Sequence, residues 1–338
     1  SVNINVLATV LAVIGPIELP EYKIVISEKN FLKEIQREIE DGADKKSGEP
    51  KRILKILTPI VFEKIASLGN EQKQSLFKAF QKHLEKRDIM AYFRDWEIEN
   101  YIQNSEIGGD IAILPDHFNG DYLAVVNANI AGGKSDAFIK QKVKMSSKIG
   151  ADGRIENYLV IEKKHSGDTE KESWYRKTNK SYIKIFTPRG SRLTYFAGHE
   201  PKTIKPSLDY LAAGYLIDPD LKTIEDTRES IKEFKADQFE EASKTVFASW
   251  FNVPAGAIKN LELQYFNPTK LTLEDKPVPY SFIFEKQSGS NTAIDFLIEA
   301  PAGYKFQENN QGIFNYVNDD PPGRLAINLT LVQDLPAN

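Results

Sequence analysis

The sequence predicts an α+β fold, in which a mixed α/β part is followed by a C-terminal antiparallel β-sandwich of the immunoglobulin-like kind. Three observations lead to this prediction. Apolar residues recur at helical spacing early in the chain, the period shortens towards two after Asp110, and the C-terminal part alternates between turns that contain Pro and Gly. The chain has 338 residues, enough for about two domains. We expect these domains to span residues 1–240 and 241–338.

The first part is predicted to be mainly helical, after two short strands at "PIEL" and "YKIVI". Ser27 is the expected N-cap of a helix that stops at Asp41 and Gly42. A second helix is expected from near Lys51 and a third through "LFKAFQKHL", because apolar residues lie three and four positions apart in both. The segment "FRDWEIENYIQN" predicts a short fourth helix.

The strands are predicted from continuous apolar runs and from alternation. "DYLAVVNAN" predicts a strand that is buried on both faces, and residues 136–165 predict a long hairpin about the turn at 150–153. "SYIKIFTPRGSRL" predicts another strand that is closed by a turn. The charged segment 209–241 is compatible with a helix or with a solvated connection. The regular alternation after residue 241 predicts the sandwich.

A glycine-rich stretch, "NIAGGKS", follows the apolar strand and is spelled like a relaxed phosphate-binding P-loop. A P-loop needs a helix after its glycines, but "FIKQKVKM" alternates like a strand, and Ala128 replaces the first glycine. We therefore expect a strand-to-strand turn that can contact an anion, with nucleotide binding as a remote alternative. The residues expected at this contact are Lys134 and Ser135.

Charge is distributed unevenly along the chain. Residues 131–205 contain 17 Lys and Arg against 8 Asp and Glu, whereas the whole chain has a net charge of −4. A basic middle between acidic flanks predicts an anionic partner, and a solvated basic sheet surface is the alternative. Arginine suits bidentate phosphate contacts, and aromatic rings stack on sugars. We therefore expect four more residues to bind the anion together with Lys134 and Ser135. These are Arg176, Lys184, Arg189 and Arg192.

Other chemistry is not expected from the sequence. There is no cysteine, which excludes disulfides and thiolate metal sites, and the histidines at 83, 117, 165 and 199 lack metal-ligand spacing. Asp218, Asp220 and Glu225 lack the spacing of a calcium loop, and we expect a surface loop there. Asp110, Asp121 and Asp136 bracket the buried strand, where turn and cap roles are expected. We predict no catalytic residue, no metal and no cofactor.

Three segments occur in the order found in a bacterial family: "GDYLAVVNANIAGGKSDAFI", "SYIKIFTPRGSRL" and "KTVFASWFNVPAGAIKNLELQYFNP". Together with "VLAVIGPIELPEYKIVISEKNF", they make the chain resemble domain-of-unknown-function family 4012. The resemblance implies an extracellular, envelope-exposed protein, anchored by an N-terminal membrane segment outside this chain. It also implies that residues 1–240 form the later part of a domain distantly related to the LytR-CpsA-Psr enzymes, which attach phosphate-linked glycopolymers to the cell wall.

Two functions follow as hypotheses. The first is a non-enzymatic surface module for envelope assembly or adhesion, with an anionic glycopolymer, a lipid-linked phosphate or other envelope proteins as partners and no nucleic acid. The second is a glycopolymer phosphotransferase of the LytR-CpsA-Psr kind. Convergence of Lys134, Arg176, Arg189 and an aspartate in one cleft favours the transferase. Basic residues spread over an open surface favour the module.

Overall fold

The computed structural model of the protein describes residues 2–105, 107–202, 208–210 and 212–334. It confirms the α+β class, with helices concentrated before residue 110 and strands after it. The chain divides into two compact units, Ser1–Asp110 and Ile111–Asn338. No helix among the described residues is long and apolar enough to cross a membrane.

The first unit contains six helices and one short hairpin within its described residues. The predicted strands form the hairpin, in which Ile17 faces Ile26. The core of this unit is built from the apolar faces of the helices, with Leu11, Phe31 and Leu57 buried. The elements are α1 (Ile4–Ile14), β1 (Ile17–Leu19), β2 (Ile24–Ile26), α2 (Phe31–Asp41), α3 (Ala43–Lys46), α4 (Arg52–Ala66), α5 (Asn70–Glu85) and α6 (Trp96–Asn104).

Two details of this unit differ from the prediction. The first helix, α1, was not expected, because its residues are apolar on almost every face and lack the polar positions that mark helical periodicity. The cap of α2 is Asn30 and not Ser27. The backbone N–H of Ser27 instead donates to the side-chain oxygen of Asn30 at 2.8 Å. Asn30 thus accepts a backbone N–H three residues before it, as the N3 side chain of a capping box does.

The second unit is a two-layered β-sandwich. Its strands are β3 (Gly120–Asn129), β4 (Ile139–Ile149), β5 (Arg154–His165), β6 (Asn179–Pro188), β7 (Arg192–Ala197), β8 (Glu229–Ile231), β9 (Ala236–Glu241), β10 (Lys244–Val253), β11 (Ile258–Lys270), β12 (Val278–Lys286), β13 (Thr292–Glu299), β14 (Tyr304–Phe306), β15 (Ile313–Asn318) and β16 (Arg324–Gln333), with helix α7 (Pro219–Asp226) before β8. Eight strands form one sheet in the order β14-β16-β12-β3-β6-β10-β9-β8, and six form the other in the order β15-β13-β4-β5-β11-β7.

The inward faces of the two sheets share one apolar core. Alternate residues of each strand point inward, as the period of two requires. The Phe282 ring of β12 stacks on the Phe296 ring of β13 from the opposite sheet, with centroids 4.0 Å apart. Neighbouring strands are antiparallel except for β3 with β12 and β4 with β13, which are parallel. These parallel pairs join the early and late parts of the unit.

The predicted boundary at residue 240 is not where the structure divides. β3, β6, β10 and β12 are neighbours in one sheet, and β4, β5, β11 and β13 are neighbours in the other, so each sheet combines strands from both sides of residue 240. The division lies at residue 110 instead. Sequence alternation identified the strands but carried no information on which distant strands pair, because pairing partners are set by the tertiary fold.

Four connections cross from one sheet to the other at the same end of the sandwich. They are residues 130–138, 166–178, 254–257 and 287–291. Their common position follows from the register, since Asn129 lies opposite Ser181 and Val253 lies opposite Asn179. In the second sheet Ile139 lies opposite His165. We call this end, with its four connections, the crossover end.

Candidate anion-binding site

The glycine-rich stretch forms the first connection of the crossover end. β3 ends at Asn129, a short 3-10 turn covers Ser135–Phe138, and β4 follows directly. The strand-to-strand turn is therefore confirmed, and the helix that a P-loop requires is replaced by a strand. Gly133 has a φ of 66°, and a Cβ at this residue would stand 2.6 Å from the carbonyl oxygen of Trp174. The glycine is needed because the connection 166–178 packs directly against the turn.

Ser135 is a structural residue of this turn. Its side chain is fully buried, its hydroxyl donates to the Gly132 carbonyl at 2.8 Å, and it accepts from Asn129 and Asn179 at 3.2 and 3.1 Å. A hydroxyl has one donor and two acceptor positions, so all of them are used. The same two amides donate to Asp136 at 2.9 and 2.7 Å. Ser135 is thus unable to bind a ligand without breaking this network.

Basic side chains surround the turn. The Lys134 backbone N–H donates to the Trp174 carbonyl at 3.0 Å, and Asn129 accepts the Lys180 backbone N–H at 3.3 Å. These contacts place Lys134 beside the segment that carries Arg176, Lys177 and Lys180, and all four side chains are exposed. Lys140 and Lys164 lie opposite each other on β4 and β5 at the same end. Residues 132–140 and 164–180 together carry seven basic against four acidic side chains.

The other three predicted ligand residues lie elsewhere. Lys184 pairs with Glu241 at 2.6 Å, and Arg189 pairs with Glu240 at 2.9 Å. Arg192 is exposed at the start of β7, after the turn that ends β6. The structure therefore brings together Lys134 and Arg176 but separates them from Lys184, Arg189 and Arg192. The predicted basic region also includes residues 203–205, which lie outside the described residues.

A polar layer lies between the sheets directly beneath the crossover end, and the sequence did not predict it. Lys163 of β5 is 1% exposed and reaches the opposite sheet, where its Nζ lies 2.5 Å from Asn127 Oδ1 and 3.1 Å from Ser181 Oγ. The Asn127 amide donates to Gln141 at 3.0 Å. Burial lowers the pKa of Lys163 to about 7, and the charge of Asp136 opposes this shift only in part.

A second buried polar group lies deeper in the sandwich. Asp121 faces inward from β3 with no exposed surface and accepts hydrogen bonds from Asn157, Asn267 and the Tyr280 hydroxyl. Desolvation raises the pKa of its carboxyl to about 6, although these hydrogen bonds lower it in part. The expected turn or cap role for Asp121 is therefore wrong. An aspartate within an apolar run was the available indication, because a charged residue on a strand buried on both faces must find partners inside.

A third buried cluster anchors the start of the sandwich unit on the outer face of the eight-stranded sheet. Glu285 Oε1 accepts from Arg324 at 2.6 Å, and its other oxygen accepts from the Tyr122 hydroxyl and the Ala112 backbone N–H. Burial alone would raise the pKa of Glu285, but the Tyr122 hydrogen bond and the Arg324 charge lower it on balance. Lys244 completes the cluster by donating to the Ala112 carbonyl at 2.9 Å.

The histidines and the acidic segment do not form a metal site within the described part of the chain. His165 is buried and its Nε2 lies 3.0 Å from the Lys177 carbonyl, which ties β5 to the connection 166–178. His83 lies between Thr9 and Asp88, and His199 stacks on Phe196. The surface loop expected at Asp218 is wrong, because Pro219–Asp226 form helix α7 with the Asp218 side chain as its N-cap. This helix agrees with the helical alternative left open for residues 209–241.

One shallow depression of about 200 Å³ lies on the outer face of the six-stranded sheet. Tyr158 forms part of its lining, and the hydrogen bond that it donates to Glu262 is the main cause that raises its pKa to about 12. Lys148 and Glu299 border the depression and lie 3.7 Å apart. Lys142 and Lys144 of β4 likewise lie near acidic residues of neighbouring strands, so this part of the face is a mixed, solvated surface.

Comparison with known proteins gives weak similarities only. No family model matches the chain, and no curated protein matches it. A solved structure described as a nutrient-binding protein from Legionella pneumophila is 8% identical with a TM-score of 0.34, over 64% of this chain and 72% of the other. An M1 zinc metallopeptidase from Deinococcus radiodurans is 9% identical with a TM-score of 0.24, over 57% of this chain and 42% of the peptidase. At these scores the similarities carry no argument about function, and the resemblance to family 4012 stays a prediction.

Proposed function

We propose that this chain is a non-enzymatic binding module of the bacterial cell envelope, and that its crossover end binds an anionic glycopolymer. The observation that carries the proposal is the position of four exposed basic residues around two connections that pack against each other. Lys134 lies on the first connection, Arg176 and Lys177 lie on the second, and Lys180 lies at the start of β6. A phosphodiester polymer presents its charges in a regular row. Several cations held on a short, rigid stretch of surface can contact successive phosphates of such a row.

The rigidity of the connections supports binding without a large ordering cost. The first connection is held by a hydrogen-bond network of four side chains, those of Asn129, Ser135, Asp136 and Asn179. The second connection is held by the contact of the His165 side chain with the Lys177 carbonyl. A preorganised surface loses less conformational entropy when a ligand binds. The basic side chains themselves remain exposed and can adapt to a flexible polymer.

The transferase alternative is less well supported by the same geometry. It requires Lys134, Arg176 and Arg189 in one cleft, whereas Arg176 and Arg189 lie beyond opposite ends of β6. The ten residues of β6 span about 33 Å at the usual rise of a strand. Asp136, the aspartate near Lys134, already accepts hydrogen bonds from two amides. Basic residues spread in this way favour the module.

The test measures binding of the purified chain to poly(glycerol phosphate) by titration calorimetry at low and physiological salt. Arg176→Ala with Lys177→Ala removes two charges from the crossover end, and Arg189→Ala with Arg192→Ala removes two charges from the far end of β6. Two lost contacts of about 0.5–1 kcal/mol each predict an affinity about 5- to 30-fold weaker for the first variant only. Equal losses in both variants would show nonspecific attraction and would contradict the site.

A second arm separates the two sources of phosphate. Vesicles that contain undecaprenyl phosphate replace the soluble polymer, and vesicles of neutral lipid serve as the control. Binding to the polymer and not to the vesicles supports the glycopolymer. Binding to the charged vesicles alone would transfer the proposal to a lipid-linked phosphate at the same residues. Failure of both arms would contradict an anionic ligand at the crossover end.

A further inference from the structure

Lys163 and Asn127 form an unusual pair of buried groups that the proposed binding function does not use. The Lys163 Nζ lies 2.5 Å from Asn127 Oδ1, and the contact bridges β5 of one sheet and β3 of the other. Because a carbonyl bond is about 1.23 Å long, Nζ lies within about 3.7 Å of the Asn127 Cγ. This upper limit is slightly longer than the separation of about 3–3.5 Å in a near-attack arrangement between a nucleophile and a carbonyl carbon.

The surroundings of Nζ favour an uncharged amine. Nζ contacts two acceptors, Asn127 Oδ1 and Ser181 Oγ, whereas an ammonium group carries three N–H bonds and a neutral amine carries two. The Phe251 ring lies 5.4 Å from Nζ, and the residue is 1% exposed. A neutral amine has the lone pair that a nucleophile needs, and burial also lowers the pKa of Lys163 to about 7.

The amide group is also positioned for a reaction. Asn127 Oδ1 accepts hydrogen bonds from both Lys163 and the Ser181 hydroxyl, which polarise the carbonyl. The Asn127 Nδ2 donates to Gln141 at 3.0 Å, so the two ends of the amide are distinguished. The Ser181 Oγ lies 3.1 Å from Nζ and 3.2 Å from Oδ1, and can therefore pass a proton between them.

We propose that Lys163 and Asn127 are joined by an intramolecular isopeptide bond that forms after the sandwich has folded. The neutral Nζ attacks Cγ, and the Nζ–Cγ bond forms while the carbonyl electron pair moves to Oδ1. A proton from Nζ passes through Ser181 to Oδ1, and from Oδ1 to Nδ2 within the tetrahedral group. The Cγ–Nδ2 bond then breaks, Nδ2 leaves as ammonia with the transferred proton, and the carbonyl is restored. The reaction involves no change of oxidation state and no co-reactant.

The bond would covalently link the two sheets of a chain that has no cysteine. The linked residues are 36 positions apart, so the bond closes a loop that includes the first connection and the β4–β5 hairpin. This loop carries the turn with Lys134, and the bond would hold that turn in place under tension or heat. The proposal does not depend on the binding function, because it rests on the interior of the sandwich alone.

Intact mass spectrometry of the denatured wild-type chain tests the proposal. The expected mass is lower than that of the sequence by one ammonia, and trypsin is expected to release a branched peptide that joins residues 95–134 to 155–164, uncleaved after Lys163. Lys163→Met is expected to restore the full mass. Lys164→Met is the matched control, since this neighbouring lysine points outward, and its variant is expected to keep the deficit.

The wild-type measurement decides the question even if a variant fails to fold. A full-length mass with both tryptic peptides linear would overturn the proposal. A deficit that persists in Lys163→Met would show a succinimide at an asparagine instead, and would also overturn it. A branched peptide that contains a lysine other than Lys163 would do the same.

Discussion

Asp121 gives a prediction whose size follows from the structure. Its carboxyl lies fully inside the sandwich, and burial raises its pKa from 3.8 to about 6. A carboxyl whose pKa is raised on folding stabilises the fold in its protonated form. Its contribution is fully present below pH 4 and is lost as the pH rises through about 6. A shift of about two units corresponds to about 3 kcal/mol.

Asp121→Asn removes the titration and keeps the shape of the side chain. The amide oxygen can accept from Asn157 and Asn267 as the carboxylate does, and the Tyr280 hydroxyl can turn towards Ser147. We expect the wild type to lose about 2.5 kcal/mol in its free energy of unfolding, relative to the variant, between pH 4 and pH 7, because a part of the full loss of about 3 kcal/mol has already occurred at pH 4. Urea unfolding of both proteins at pH 4, 5, 6 and 7 measures this difference.

The comparison isolates Asp121 because every other titrating group is shared by the two proteins. The difference between their free energies of unfolding is expected to change with pH along one titration curve with its midpoint between pH 4 and pH 6. A difference that stays constant over this range would refute the reasoning, since it would show that Asp121 titrates as in the unfolded chain. A difference of opposite sign would show that the hydrogen bonds outweigh desolvation.

Three further predictions concern stability and are measured by urea unfolding at pH 7. Gly303→Ala is expected to cost about 1 kcal/mol, because its backbone is left-handed but a Cβ there would meet no other atom. Gly133→Ala is expected to cost about 3 kcal/mol, because its Cβ would also meet the Trp174 carbonyl oxygen. Equal costs for the two variants would contradict the packing of the turn. Arg324→Ala is expected to cost about 3–5 kcal/mol because it removes the guanidinium that pairs with the buried Glu285 carboxylate. Arg189→Ala is expected to cost less than about 1 kcal/mol because its pair is exposed, and similar costs would contradict the burial. Lys163→Met is expected to cost about 4 kcal/mol by reopening a loop of 36 residues, and an unchanged free energy of unfolding would contradict a cross-link.

Local patterns in the sequence predicted most elements of the fold. Alternation identified β4, β5 and β13, and helical spacing identified α4 and α5. These patterns report which face of an element is buried, and that depends on neighbours in the chain. The pairing of β3 with β12 was not predicted, because residues more than 150 positions apart leave no local pattern. The domain boundary was misplaced for the same reason.

The candidate site was predicted in part. Lys134 and Arg176 lie together because their connections cross at one end of the sandwich, and the charge of residues 131–205 indicated that region. Arg189 was grouped with them by sequence proximity, but ten residues of extended strand carry it to the other end. Lys163 was counted among the surface charges. Its inward direction follows from alternation with Ile161 and His165 on β5, and this indication was available in the sequence.

Hydrogen–deuterium exchange with poly(glycerol phosphate) tests the central claim most directly, because it reports where the polymer lies on the chain. The backbone amides of residues 130–138 and 166–180 are expected to exchange more slowly when the polymer is bound, and those of residues 186–192 are expected to stay unchanged. That result would place an anionic glycopolymer at the crossover end. Slower exchange at residues 146–158, around the depression of the six-stranded sheet, or no change at any segment would contradict the account.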